Sequence, residues 1–319
     1  MSDAVSAYLA GLVLGTPQIY ENLSVIPLLA AREAPLDYLT LDQALEDKLI
    51  EIIEVSEGGS VQNLKVINRS ASKILILDGE EFVGAKQNRI SNASFVIPAE
   101  SEKVIPVSCI EEGRWRYSSR SFSSTDSMYA ARGRRAKLQD TTSVLRVRKD
   151  FKSDQSKVWG TVRKYLGLSG TTSSTDSFVD YQEQRRADLD SYVSAFRCES
   201  DQVGVLVRIN DQLQGMDTFG RARTWKAVFP KFIRSYAMDA IVRAAVEPPS
   251  GDAARMAPDA FIRELSDAPR ESFDSIGEGK DFRMETDRVI GAALVLDDTI
   301  LHLTAFPKAG NGGDGLAAG

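Results

Sequence analysis

Between residues 23 and 110 the chain is cut into short apolar or alternating runs, at 23–29, 50–55, 64–67, 74–77, 94–98 and 104–110, with Asn, Gly, Ser and Pro between them. Runs this short, separated by turn-formers, fit strands better than helices, and their spacing is that of a sandwich or barrel. One brief helix interrupts them, because Thr40-Leu-Asp-Gln reads as a capped first turn ahead of Ala44 and Leu45.

Beyond residue 150 the period changes from two to that of a helix. Residues 155–166 align Val158, Trp159, Val162 and Tyr165 or Leu166 on one face, and 177–196 reads as one long amphipathic helix carrying Phe178, Tyr181, Leu189, Tyr192, Val193 and Phe196. Two hairpins are predicted at 203–219 and 289–306, turning at Asn210-Asp211 and Asp297-Asp298. Between them 223–246 is a strong helix in which Pro230 is expected to kink the axis or shift the start. The fold class is therefore α+β: an antiparallel β-rich, sandwich-like N-terminal half and a C-terminal half of helices packed on antiparallel hairpins. The expected divisions are a short helix or arm over 1–15, a β-rich half over 16–150, an α+β half over 151–307 and a disordered Gly/Ala-rich tail over 308–319.

Residues 112–149 hold ten cationic side chains against three acidic ones. With the Ser/Thr-rich stretch 118–127, which reads as exposed and mobile, 113–149 is expected to be a basic Ser/Arg loop. Over the whole chain the balance is a net charge of −6, which argues against bulk nucleic-acid or anionic-membrane binding as the main activity. The apolar N-terminal run is preceded by Asp3 and by no Lys or Arg, the reverse of a secretory signal, and no later run is long enough to span a bilayer. With only Cys109 and Cys198, both expected to be reduced, these features point to the cytoplasm.

The inventory of reactive residues is narrow. The one histidine, His302, sits in a strand-like alternation and reads as structural; no G-x-S-x-G or cysteine-protease signature accompanies it. The counts of His and Cys leave no zinc site, and phosphate-binding glycine loops are absent. An oxygen-ligated Mg²⁺ remains compatible with the many carboxylates, so the cofactor is open.

The most pointed segment is Asp78-Gly-Glu-Glu-Phe-Val-Gly-Ala-Lys-Gln-Asn-Arg89, which follows the apolar run 74–77 directly. One reading is a turn at Asp78-Gly79 leading into a solvated polar strand. The other is a binding site held close to a rigid strand. Glu80 and Glu81, as neighbours on a strand, are expected on opposite faces, one lining a pocket as an acid or base and the other solvated or paired with Lys86 or Arg89. Lys86, Gln87, Asn88 and Arg89 offer donors for a phosphate, a carboxylate or a base edge. A second cluster, Glu111-Glu-Gly-Arg-Trp115, adds an acid in Glu111, a cation in Arg114 and a stacking surface in Trp115, which alternatively caps the sandwich core. Asp217 is a weaker candidate, read as a turn or capping residue.

These segments resemble a bacterial domain family. The resemblance rests on Glu21-Asn-Leu-Ser-Val-Ile-Pro-Leu28, on Leu77 through Arg89, on Ile105-Pro-Val-Ser-Cys-Ile-Glu-Glu-Gly-Arg-Trp115 and on Asp154-Gln-Ser-Lys-Val-Trp159. Together they look like the ARPP-1 domain, named for its association with ADP-ribosylglycohydrolases and rhodanese-phosphatase proteins, over roughly residues 15–306. The resemblance implies a ligand of the ADP-ribose or ribosyl phosphate class in NAD-related metabolism, with no reaction attached. It marks Glu80, Lys86, Gln87, Asn88, Arg89, Glu111, Arg114 and Trp115 as site residues without roles. Three functions follow: turnover of such a compound with Glu80 or Glu111 as acid or base and Arg89 and Arg114 on phosphate, noncatalytic sensing or partner binding through the same motif, and homo-oligomeric assembly through sheet edges.

Overall fold

A computed structural model describes residues 4–30, 34–243 and 252–308. Its centre is an antiparallel sheet that draws strands from both ends of the chain. Leu23–Leu29 pairs with Gln202–Ile209, followed in order by Gln212–Thr218, Thr299–Pro307, Val289–Leu296, Lys280–Glu285 and Arg270–Asp274, while Val13–Leu14 and Gln18–Tyr20 both join Leu23–Leu29 at the edge. Both expected hairpins are present. Asn210, Asp211, Asp297 and Asp298 all adopt positive φ, the two-residue turn geometry that matches the twist of paired strands.

The strand alternation decides which layer each residue enters. Val205, Val207 and Ile209 face a core shared with the Ala222–Arg243 helix, whereas Leu206 faces the opposite side, under Ala4–Ala10 and Pro258–Asp267. The large sheet is thus covered by helices on both faces. The remaining N-terminal strands form a six-stranded sheet, ordered Phe122–Ser123, Glu81–Gly84, Arg89–Ser91, Ser101–Cys109, Asn63–Asn68 and Ile50–Glu54, and a three-stranded sheet of Phe95–Ile97, Ile74–Ile76 and Leu39–Thr40. The two close on one apolar core that includes Ile52, Leu64, Ile76, Phe95 and Val107, which is the sandwich-like half. Among the described strands only Leu39–Thr40 pairs in parallel, with Ile74–Ile76. Thr40 caps the Leu41–Glu46 helix through a capping box with Gln43.

Three local expectations are corrected. The basic stretch is not a loop through 149: Ala131–Arg148 is an 18-residue helix. Its cationic composition hides a buried stripe of Ala131, Arg134, Leu138, Thr141 and Leu145, whose helical spacing is complete once Arg134 is counted as an inward-facing residue. The Ser/Thr stretch before it is exposed only in part, because Phe122 is buried and Phe122–Ser123 pairs with Val83 and Gly84. The single helix over 177–196 is two, Phe178–Gln184 and Arg186–Ala195, broken where Arg185 leaves helical geometry. Pro230 lies inside the continuous Ala222–Arg243 helix. The lost hydrogen bond, about 3 kcal/mol in an isolated helix, is offset by burial of Trp225, Phe229, Phe232, Ile233 and Tyr236. Most of the tail, from 309 on, lies outside the described residues.

Candidate functional site

The motif segment is built as a hairpin. Gly79 turns the chain at φ 79°, Glu81–Gly84 and Arg89–Ser91 pair, and residues 85–88 form the loop between them. Gly84, at φ 126°, leaves no room for a side chain, since a Cβ there would meet the Ser119 hydroxyl at 2.4 Å. The solvated polar strand that the composition allowed does not form: Lys86, Gln87, Asn88 and Arg89 are all buried.

The loop and the Glu111–Trp115 segment meet in one hydrogen-bonded assembly. Arg114 donates to both oxygens of Glu111, at 2.9 and 2.7 Å, and its remaining donors reach Ala85 O, Gly84 O, Arg116 O, Ser118 and the Asn88 Oδ1. Glu111 also accepts from the Asn88 backbone N–H at 3.1 Å and from Thr175 at 2.9 Å. Gln87 donates to Glu112 O and accepts from Arg89 at 3.2 Å and from the Cys109 thiol at 3.1 Å. Arg114 therefore uses all five of its N–H groups within the protein, and Glu111 is held as a hydrogen-bonded carboxylate. Burial, partly countered by the neighbouring Arg89, pushes the Cys109 thiol up to about 12, so it is not a nucleophile near neutral pH.

Above this knot lies an aromatic and cationic rim. The Lys86 ammonium sits 5.4 Å from the Trp115 ring centre and 5.1 Å from that of Tyr117, and the Arg89 guanidinium lies 5.6 Å from Trp115. Trp115 and Tyr117 are 46% and 51% exposed, so Trp115 stacks on cations at the surface rather than capping the core. Lys86 donates to Gly58 O at 2.8 Å. Beneath the rim, Glu54 Oε2 and Arg89 Nε are buried and have no hydrogen-bond partner among the described residues. Glu54 was legible in principle: it ends the alternation of Ile50–Glu54 on the same inward face as Ile50 and Ile52.

The paired glutamates are both buried, and neither is solvated or paired with Lys86 or Arg89. Glu80 accepts from Lys231 of the Ala222–Arg243 helix at 2.9 Å and from the Leu77 N–H at 3.0 Å; Lys231 also reaches Asp42 at 2.7 Å. Burial raises the Glu80 pKa and Asp42 adds to the rise, while Lys231 opposes it. For Lys231 burial acts the other way, but the two carboxylates outweigh it and hold its proton. Glu81 accepts from Gln182 at 2.6 Å and from Thr125 at 2.8 Å. Burial, only partly offset by those two bonds, pushes its carboxyl up to about 7. Gln182 and Thr125 in turn line a surface cleft of about 280 Å³ whose walls include Asp126, Glu183, Arg186 and Arg234. Sequence reasoning missed these four, which come from separate elements with no shared motif.

Asp217 is neither a turn nor a cap. It lies in the Gln212–Thr218 strand, fully buried, and binds Arg134 through both oxygens at 2.9 and 2.8 Å. Tyr236 donates to it at 2.7 Å, and His302 Nε2 lies 3.3 Å away, with Ser94 Oγ 2.7 Å from His302 Nδ1. Ser94, His302 and Asp217 line up like a hydrolase triad with the ring nitrogens exchanged, Ser94 on Nδ1 and Asp217 on Nε2, and the adjoining cavity is about 10 Å³, room for one water. His302 is a core residue, packed 4.8 Å from the Phe219 ring. Among the described residues no three His, Cys, Asp or Glu side chains are arranged to hold a metal ion, and no helix is long and apolar enough to cross a membrane.

No curated protein and no solved structure matches the chain. The family model of the ARG and Rhodanese-Phosphatase-superfamily-associated Protein domain matches residues 11–306, spanning the motif hairpin, the Glu111–Trp115 knot and the last strand of the large sheet; the chain belongs to the ARPP-1 domain family.

Proposed function

We propose that the protein binds a small phosphorylated, nucleotide-like compound of the ADP-ribose class at the rim of Lys86, Trp115 and Tyr117. The observation that supports this reading is the pair of half-exposed rings flanking one ammonium. A base stacks on an aromatic face, and an ammonium beside it takes a phosphate oxygen. Arg89 adds positive charge below the rings, and Gln87, Asn88, Glu111 and Arg114 fix the loop that carries Lys86. In this reading Arg114 positions the site rather than holding phosphate, because its donors are already committed.

Binding without chemistry at this rim is favoured by one specific feature: both oxygens of Glu111 are already taken up by Arg114, Thr175 and a backbone amide, which leaves neither free to contact a ligand. The test is the melting temperature of the protein with ADP-ribose, NAD and ribosyl phosphates, each with and without Mg²⁺. A ligand that binds only the folded state raises it, by about 2.7 kcal/mol of stabilisation at a hundredfold excess over Kd. The expected result is a rise with ADP-ribose that Trp115→Ala and Lys86→Met abolish. A rise that both variants retain, or none with any compound, would refute the rim as the site.

A further inference from the structure

We propose that the cleft between residues 125–127 and the helices Phe178–Gln184 and Arg186–Ala195 is a second binding site, for a neutral, hydroxyl-rich ligand the size of one sugar ring. This inference does not rest on the rim: Glu81, behind the cleft, pairs with Ile90 across the motif hairpin, whereas Arg89, under the rim, pairs with Phe82, so the two sites lie on opposite faces of that hairpin.

Four observations converge on this ligand class. First, the cations are neutralised: Arg186 and Arg234 are paired with Asp126, Glu183 and Asp190, so the cleft offers no excess positive charge to an anion. Second, these charges are interleaved. One oxygen of Asp126 accepts from Arg186 at 3.1 Å and lies 3.3 Å from Arg234, which donates to Asp190, and Arg186 also grips Glu183 at 2.6 Å. The wall therefore offers both donors and acceptors, which suits hydroxyls, each of which donates one hydrogen bond and accepts others. Third, the floor is neutral and fixed, since Gln182 and Thr125 are both anchored to the buried Glu81. Val179 and Leu189 give the C–H face of a ring an apolar surface. Fourth, Arg234 is buried, lines the cleft, and has a buried Nε without a partner among the described residues. A wholly apolar ligand would leave these polar groups desolvated and unpaired. The volume of about 280 Å³ falls just below the drug-sized range and suits a single ring.

The experiment is a calorimetric or NMR titration of the intact protein with free D-ribose, D-xylose and D-glucose, and separately with inorganic phosphate. Saturable binding of at least one sugar is expected. Because Asp126 and Glu183 are about half exposed, Asp126→Asn and Glu183→Gln should fold normally, and each should weaken that binding roughly tenfold through loss of a charged acceptor. Trp115→Ala should leave it unchanged, which separates this site from the rim. Absence of saturable sugar binding, sugar binding indifferent to both cleft variants, or tighter binding of phosphate than of any sugar at this cleft would overturn the proposal.

Discussion

Glu81 is a carboxyl whose surroundings favour the proton. Its pKa moves from the ordinary 4.5 to about 7 because burial penalises the charge more than Gln182 and Thr125 compensate. The sign of the linkage follows from the raised value. Between these two pH values the folded protein keeps a proton that the unfolded chain has lost, so stability is fully present below the unfolded value and declines as pH rises through 7. The change across this window is on the order of 3 kcal/mol. Glu81→Gln mimics the protonated form, so the urea midpoint of the wild type should fall relative to that of the variant between pH 4.5 and 8. Parallel pH profiles for the two proteins would show that Glu81 is ionised throughout. The composition announced two adjacent acids but could not assign their environments, because each partner lies more than a hundred residues away: Lys231 for Glu80 and Gln182 for Glu81.

The helix Ala131–Arg148 is where a whole element was hidden by its composition. Gly133, placed inside it, would ordinarily be improved by alanine, by roughly 1 kcal/mol. Here a Cβ would come within 2.3 Å of the buried Tyr129 ring, whose neighbours include Phe178 at 5.1 Å. The ring has no free space to move into, so overpacking outweighs propensity. Gly133→Ala should destabilise the protein by about 1–3 kcal/mol, read as a lower melting temperature. An unchanged or raised melting temperature would mean that the helix can slide away from the ring. Other elements were plain from local chemistry: the capping box at Thr40 and the two hairpin turns lie within a few residues of what they control.

Across the molecule, the helix Ala131–Arg148 is the fastener between the two layers. Lys137 pairs with Asp78 at the start of the motif hairpin, and Arg134 pairs with Asp217 in the large sheet. Burial opposes ionisation of Asp217, but the charge and twin hydrogen bonds of Arg134, with His302 behind them, outweigh it and hold the carboxyl well below the usual range. Removing one partner leaves a buried charge alone. Asp217→Asn or Arg134→Met should therefore cost about 3–5 kcal/mol in urea unfolding. Replacing both with apolar residues should cost less than the two single losses together. Since the Asp217 pKa is depressed, its contribution is present above the usual carboxylate pKa and is lost as pH falls through the folded value, which predisposes the protein to acid unfolding. Additive single losses would show that the two groups act independently.

By itself the sequence determined the strand and helix periods, the hairpin turns, the α+β class and the motifs that place the chain in its family, because each is written over a few neighbouring residues. The tertiary structure decided what the charged residues do. Arg134, Lys137 and Glu81 look alike as solvated composition, yet each is buried against a partner brought in by another element. A buried charge is tolerable only if its counterpart is built opposite it, and that counterpart is set by packing rather than by position in the chain.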